Sequence, residues 1–136
     1  MDGIPNTLQS IPGIGPVYSA GILAEIGDIH RFKNQASLAK YAGLTWPKHQ
    51  SGKLKADDTK LIRSGNRYLR YYLVEATNSV RRYDSEFNAF YHKKYDEALK
   101  HKHKKALVLT ARKFVRLVDV LLRKDQLYSP RRKVNR

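Results

Sequence analysis

The feature that most constrains this chain is a glycine-proline reversal near its start, Ile11-Pro12-Gly13-Ile14-Gly15-Pro16. Apolar residues flank it on both sides: Ile4, Leu8 and Ile11 before it, then Val17, Ala20, Ile22, Leu23 and Ile26 after it. Gly13 and Gly15 can both take φ > 0 without a Cβ clash, so the backbone can reverse tightly there. Pro16 suits the first position of a following helix, where its missing N–H loses nothing. The pattern predicts helix, tight hairpin, helix over residues 6–27, closed by Gly27 as a helix stop. A helix N-terminus after the turn leaves unpaired backbone N–H groups, which suit a phosphate. A plain αα-hairpin with a glycine turn fits the same residues.

Charge says what such a hairpin could be for. The net charge is +15 over 136 residues, and it is unevenly placed. Residues 1–30 carry Asp2, Glu25 and Asp28 with no Lys or Arg, whereas residues 31–136 sum to +18. A basic body of that size points to a polyanionic partner. Nucleic acid fits better than a membrane surface, because no segment joins a broad apolar face to a purely basic one. There is no apolar run of about 18 residues that could span a bilayer. The N-terminus lacks the basic start and apolar stretch of a signal peptide. The absence of cysteine excludes disulfides, thiol catalysis and thiolate-bound zinc, and fits the cytoplasm.

Beyond the hairpin the apolar spacing is helical, and the expected fold class is all-α. Asp28 to Phe32 reads as a connector. Asn34 can cap a helix over residues 35–42 that stops at Gly43, with Leu38, Tyr41 and Ala42 as its apolar stripe. Pro47 discourages its resumption. Residues 47–66 have little helical periodicity and form a long basic loop, a length usually functional or disordered in a compact domain. Ser64 is placed to cap a helix over 66–83, whose Leu69, Leu73, Ala76 and Val80 make a core stripe. Asp84 or Ser85 caps a helix over about 86–101, with Phe87, Phe90, Tyr91 and Ala98 inward. Residues 101–105 read as a basic turn. A last helix over about 104–124 turns Leu107, Ala111, Phe114, Val118, Leu121 and Leu122 inward, with Arg112, Arg116, Asp119 and Arg123 opposite. The whole chain reads as one domain: hairpin at 6–27, loop at 47–66, three longer helices over 66–125, and a basic tail at 126–136 that is frayed from 129.

Several residue groups carry possible chemistry. His49, His92, His101 and His103 suggest a metal, but His101 and His103 are not an i, i+4 pair and sit among lysines, which oppose a cation. Asp57-Asp58 on an extended segment would point to opposite faces, and pairing with Lys53, Lys55 and Lys60 accounts for them better. The expectation is therefore no metal site and no cofactor in this chain. Ser51, followed by Gly52, is the sharper candidate. A loop hydroxyl flanked by Lys48, His49, Lys53 and Lys55 could attack a phosphodiester while the cations stabilise the charge that develops. Ser-Gly is also a common turn dipeptide. Ser64-Gly65-Asn66-Arg67 is a rival, but Ser64 is well placed as an N-cap, with Gly65 and Asn66 then opening a helix whose N-terminus could meet a phosphate.

Taken in order, four segments carry a resemblance. They are Ile11-Pro12-Gly13-Ile14-Gly15, Leu38-Ala39-Lys40-Tyr41-Ala42-Gly43-Leu44, Gln50-Ser51-Gly52, and Ser64-Gly65-Asn66-Arg67-Tyr68-Leu69-Arg70. Over about residues 6–125 the chain resembles the C-terminal domain of the Piv/MooV-like "IS one-ten" insertion-sequence transposases. The resemblance implies a serine recombinase guided by a structured bridge RNA, with an N-terminal RuvC-like domain whose acidic tetrad binds Mg2+. It places the nucleophile on Ser51. A dimer or larger homo-oligomer is implied for the full-length protein, because two strands must be exchanged.

This sequence departs from that pattern in one large respect. Met1-Asp2-Gly3 runs almost directly into the hairpin, with no RuvC-like segment, so the reading is a truncated product, an expressed domain or a remnant. Mg2+ would belong only with the missing domain, and the chain alone would be inactive. The expected function is DNA binding and strand transfer, with Ser51 as nucleophile and Lys48, His49, Lys53 and Lys55 beside the phosphate. Arg63, Arg67 and Arg70 are the backbone contacts, and Gly13 and Gly15 shape a hairpin with about even claim to touching DNA. The alternatives are a non-catalytic helix-hairpin-helix nucleic-acid-binding module and a purely structural helical domain.

Overall fold

A computed structural model of the protein describes residues 7–46 and 65–129. Five α-helices account for most of them: α1 (Pro16–Ile26), α2 (Gln35–Tyr41), α3 (Arg67–Tyr83), α4 (Ser85–Glu97) and α5 (Lys102–Lys124). A single 3-10 turn, Ile29–Arg31, links α1 to α2. No strand occurs among the described residues, and the fold is all-α as the apolar spacing predicts.

The described part of the hairpin's first limb differs from expectation. Residues 7–13 form consecutive turns, not a helix, with Ile11 N–H donating to Leu8 C=O at 3.1 Å and Ile14 N–H to Ile11 C=O at 3.0 Å. Pro12 explains part of this, since it cannot donate and biases Ile11 away from helical geometry. Leu8, Ile11 and Ile14 are nonetheless buried, so the turns still deliver three apolar anchors to the core. Gly13 adopts φ +95°, but Gly15 sits at φ −95°, ordinary extended backbone before Pro16 at the helix start.

The hairpin packs on α3. An added Cβ on Gly13 would stand 3.0 Å from the Ser79 carbonyl oxygen, and Ser79 Oγ donates to the Gly13 carbonyl at 2.7 Å. Further along, the Tyr72 ring occupies the space where a Gly21 side chain would begin. Asn66 Nδ2 then donates to Glu25 Oε1 at 2.7 Å. Contacts that pair 13 with 79, 21 with 72 and 25 with 66 make α1 antiparallel to α3.

Helices α3, α4 and α5 form the body. Leu69, Leu73, Ala76 and Val80 are fully buried, as their spacing predicts, and they meet Phe114, Val115, Val118 and Leu121 of α5 in one apolar cluster. Phe87 of α4 joins it edge-to-face on Phe114, with ring centroids 5.8 Å apart. Helix α2 is tied to α5 by Arg112 Nη1 donating to Gln35 Oε1 at 2.7 Å. Asn34 caps α2 as expected, accepting from Ser37 N–H at 2.9 Å.

Four other expectations are corrected. Ser64 lies outside the described residues, and α3 is capped by Asn66, whose side-chain oxygen accepts from the Tyr68 and Leu69 amides. Helix α4 ends at Glu97, short of 101. The basic turn at 101–105 is mostly the first turn of α5, entered through His101 in left-handed backbone at φ 53°. Asp119 is buried and accepts from Arg123 at 2.7 Å, instead of facing solvent.

After α5 the chain turns back, and Tyr128 N–H donates to Ser10 Oγ at 2.7 Å. The Tyr128 hydroxyl donates to Asp84 Oδ2. Asp84 is itself buried and caps α4 by accepting from Phe87 N–H at 3.0 Å. One carboxylate thus holds the α3–α4 corner and the returning tail together.

The packing predicts three effects on stability. Gly13→Ala should cost about 1–3 kcal/mol in urea unfolding, from left-handed backbone and contact with α3 combined. Gly15→Ser should instead add a few tenths of a kcal/mol, because α1 lacks a side-chain cap and Gly15 has open space around it. Burial, and then the Asp84 carboxylate, push the Tyr128 hydroxyl above the usual tyrosine range. The unfolded chain therefore ionises this group first, near pH ~10, so its stabilising effect is complete below that pH and falls as pH rises further. Tyr128→Phe should cost about 1 kcal/mol at neutral pH and flatten the alkaline limb of a stability–pH curve.

Candidate nucleic-acid interface

The loop that sequence singles out springs from a defined root. Helix α2 ends where Gly43 takes φ 73°, and the buried Leu44 donates its N–H back to Ala39 C=O at 2.8 Å. The chain returns at Gly65, with φ 106° and no room for a side chain against the Tyr41 carbonyl. Asn66 N–H then donates to that same carbonyl at 2.6 Å. Both ends of the segment 47–64 therefore meet at the C-terminal end of α2. That segment itself lies outside the described residues.

A polar cluster seals this root. Asn66 uses its side-chain oxygen to cap α3, while its amide donates to Glu25 Oε1 and, at 3.3 Å, to the Tyr41 hydroxyl. The Arg31 guanidinium lies over the Phe32 and Tyr41 rings at 4.4 and 4.7 Å, and its Nε donates to Ile26 C=O at 2.8 Å. Hydrogen bonding from Arg31, then from Asn66, holds the Tyr41 phenol below its usual range. The cluster joins α1, the 3-10 turn, α2 and α3 at one point. Its chemistry is that of an anchor: donors and acceptors are matched to one another, and only Arg31 is largely exposed.

The site residues expected from sequence fall into three places. Ser51, Lys48, His49, Lys53, Lys55 and Arg63 lie outside the described residues. Arg67 and Arg70 stand on the first turn of α3, beside the loop root. Arg67 is exposed with Nη2 donating to the Tyr68 hydroxyl at 3.3 Å, whereas Arg70 is half-buried with Nη1 near the Ala42 carbonyl at 3.4 Å. Gly13 is at the far end of α3, at the level of Ser79. Thirteen residues of helix separate that level from Asn66, about 20 Å at 1.5 Å per residue. The hairpin tip and the arginines are thus two separate surfaces. The need for glycine at 13 is met by its packing on α3, and Gly15 remains at the uncapped start of α1.

The N-terminus of α3 is not an open phosphate site at its second and third amides, because Asn66 occupies both. Among the described residues no group of three or more His, Asp or Glu comes together to hold a metal ion. Mg2+ has no ligand set there, and no step here runs through it. His103 Nδ1 pairs with the Tyr91 hydroxyl at 2.6 Å, which explains one histidine of the basic segment as packing. No helix among the described residues is long and apolar enough to cross a membrane.

Two groups escaped the sequence reading. Glu25, Arg31 and Asn66 converge only through folding, and no local spacing marks them. Tyr68, Tyr71 and Tyr72 were legible in principle, as tyrosines at i, i+3 and i+4 beside a separate leucine stripe.

Asn66→Ala should lower stability by about 1–2 kcal/mol from the lost cap alone. Amide exchange at Tyr68 and Leu69 should accelerate with it, while exchange in α5 changes only as far as global stability does.

Comparison with known sequences places this architecture. Residues 6–92, from the turns before α1 through α3 and most of α4, match the pattern described as Transposase IS116/IS110/IS902 family. A 44.8 kDa protein of insertion element IS116 from Streptomyces clavuligerus is 31% identical over 123 residues, covering 90% of this chain and 30% of that protein. A transposase for insertion sequence element IS1111A from Coxiella burnetii is 33% identical over 76 residues, 56% of this chain and 21% of that one. A 42 kDa protein of insertion element IS900 from Mycobacterium paratuberculosis is 30% identical over 124 residues, again 90% and 30%. The chain spans 30% or less of the length of these relatives. Because the matched residues include the hairpin, both ends of the loop and its root, the chain belongs to the IS116/IS110/IS902 family of transposases.

Proposed function

We propose that this chain is the DNA-binding, strand-transfer part of an insertion-sequence transposase, with Ser51 as its nucleophile. The observation that carries the reading is the family match across residues 6–92, which spans the whole serine-bearing loop. The closed root supports it, since the two ends of the segment that carries Ser51 are held together at Tyr41. In the reaction, Ser51 Oγ attacks a backbone phosphorus, a serine–phosphate ester forms, and the departing sugar oxygen takes a proton. Lys48, His49, Lys53 and Lys55 are the groups available by sequence to offset charge on the phosphoryl oxygens. Arg63, Arg67 and Arg70 hold the flanking backbone. The acidic metal-binding domain, a guide RNA and a second copy belong to the same reading, for the full-length protein.

The decisive test is Ser51→Ala in the full-length transposase, with recovery of a covalent protein–DNA adduct as the readout. Loss of the adduct with DNA affinity retained is the expected result. An adduct that persists rejects Ser51, and a wild-type protein that binds DNA but never forms one favours the non-catalytic binding module.

Binding itself should be strongly salt-dependent, because each neutralised phosphate releases counterions. Arg67→Ala should make the slope of log affinity against log salt less negative by about 0.9. Arg70→Ala should combine a similar change with a loss of thermal stability, through its tie to Ala42.

A further inference from the structure

The outer face of α3 carries aromatic rings where a helix of a basic protein would ordinarily carry charge. Tyr68 and Tyr71 are 57% and 58% exposed. Together with Tyr72 and Arg67 they line an open depression of about 410 Å3. The rings are not loosely placed. Tyr72 is wedged against α1 at Gly21, and the Tyr71 ring stands edge-on to it with centroids 5.5 Å apart. The Arg67 guanidinium lies 5.2 Å from the Tyr68 ring centre and hydrogen-bonds its hydroxyl.

We propose that Tyr68 and Tyr71, backed by Tyr72 and flanked by Arg67, form a stacking platform for unpaired bases of single-stranded DNA. This rests on the reading of the chain as a DNA-binding part of a transposase and names the form of DNA that this face takes. Aromatic faces stack on bases whose own faces are available, which in a duplex are already covered. Arginine beside the rings adds a cation for the backbone and a second planar group for stacking. Charge complementarity selects the occupant, since the segment from residue 31 onward sums to +18. The same charge opposes a second copy of this chain as the partner. Glu75, one turn beyond Tyr71 on the same side of α3, ends the platform with a carboxylate that a phosphate would avoid.

The test is fluorescence anisotropy of the full chain with a labelled 20-nucleotide oligo-dT and with a 20-base-pair duplex, at one fixed salt concentration. Tyr68→Ala and Tyr71→Ala should each weaken oligo-dT binding by about fivefold to a hundredfold. Duplex affinity should stay within about twofold of wild type, and Tyr68→Phe and Tyr71→Phe should retain single-strand affinity. These residues are exposed, so unfolding midpoints should not move, and that is checked alongside. Unchanged oligo-dT affinity in the double alanine variant overturns the platform while leaving duplex binding to support the wider reading. Equal weakening on duplex and single strand overturns it too, because stacking does not predict that. Binding of oligo-U without oligo-dT, or a change from dimer to monomer in the alanine variants, assigns the face to another occupant. A wild-type chain that binds neither DNA form rejects the wider reading along with the platform.

Discussion

The fold depends on how closely α1 lies against α3. Gly13 meets the backbone of α3 at Ser79, Gly21 admits the Tyr72 ring, and Glu25 receives the Asn66 amide. Each contact fails for a different reason if the helices separate. The first loses a backbone approach that only glycine permits. The second leaves an aromatic ring without its seat, and the third leaves a helix cap without its orienting partner. Because all three lie on one antiparallel pair, they hold α3 along most of its length. Its adjoining face buries Leu69, Leu73, Ala76 and Val80 in the cluster shared with α5.

That arrangement gives the glycine hairpin a different meaning from the one its sequence suggests. Pro-Gly-Ile-Gly-Pro has the chemistry of a phosphate grip, yet Gly13 spends its missing side chain on α3. The root where α2 ends and α3 begins lies about 20 Å away along α3. There the Tyr41 carbonyl accepts the Asn66 amide, and the Asn66 side chain caps α3 while reaching Glu25 and Tyr41. One asparagine thus sets the start of α3, the return point of the loop and the position of the adjoining Arg67 and Tyr68. The turn at Gly13 and the root at Asn66 stand at opposite ends of one helix.

The returning C-terminal segment plays a corresponding part at the other end of α3. Asp84 caps α4 and accepts from the Tyr128 hydroxyl, while Tyr128 N–H reaches Ser10 in the turns before α1. The all-helical body is therefore closed by two polar ties, one at each end of α3. In both, a short side chain that caps a helix is shared with a distant segment. Such sharing joins the backbone amides of a helix start to a distant side chain through one residue, which makes each residue hard to replace.

Local pattern is enough to set the helices and much of the core. Apolar residues at spacings of three and four place Leu69 to Val80 and Leu107 to Leu121 inward, and Asn34, Gly27 and Gly43 punctuate helix ends through local backbone chemistry. The family to which the chain belongs was also legible, because motif order is a property of the string. The turns at 7–13, the cap at Asn66, the buried Asp119 and the docked Tyr128 were not. The turns follow from Pro12 breaking a short apolar run, the cap from a competition between neighbouring residues, and the other two from partners between four and more than a hundred residues away. The clustering of Glu25, Arg31, Tyr41 and Asn66, and the exposure of Tyr68 and Tyr71, were decided only by tertiary packing. Which side of a helix faces a neighbour, and what remains uncovered, is set by how all the elements fit together.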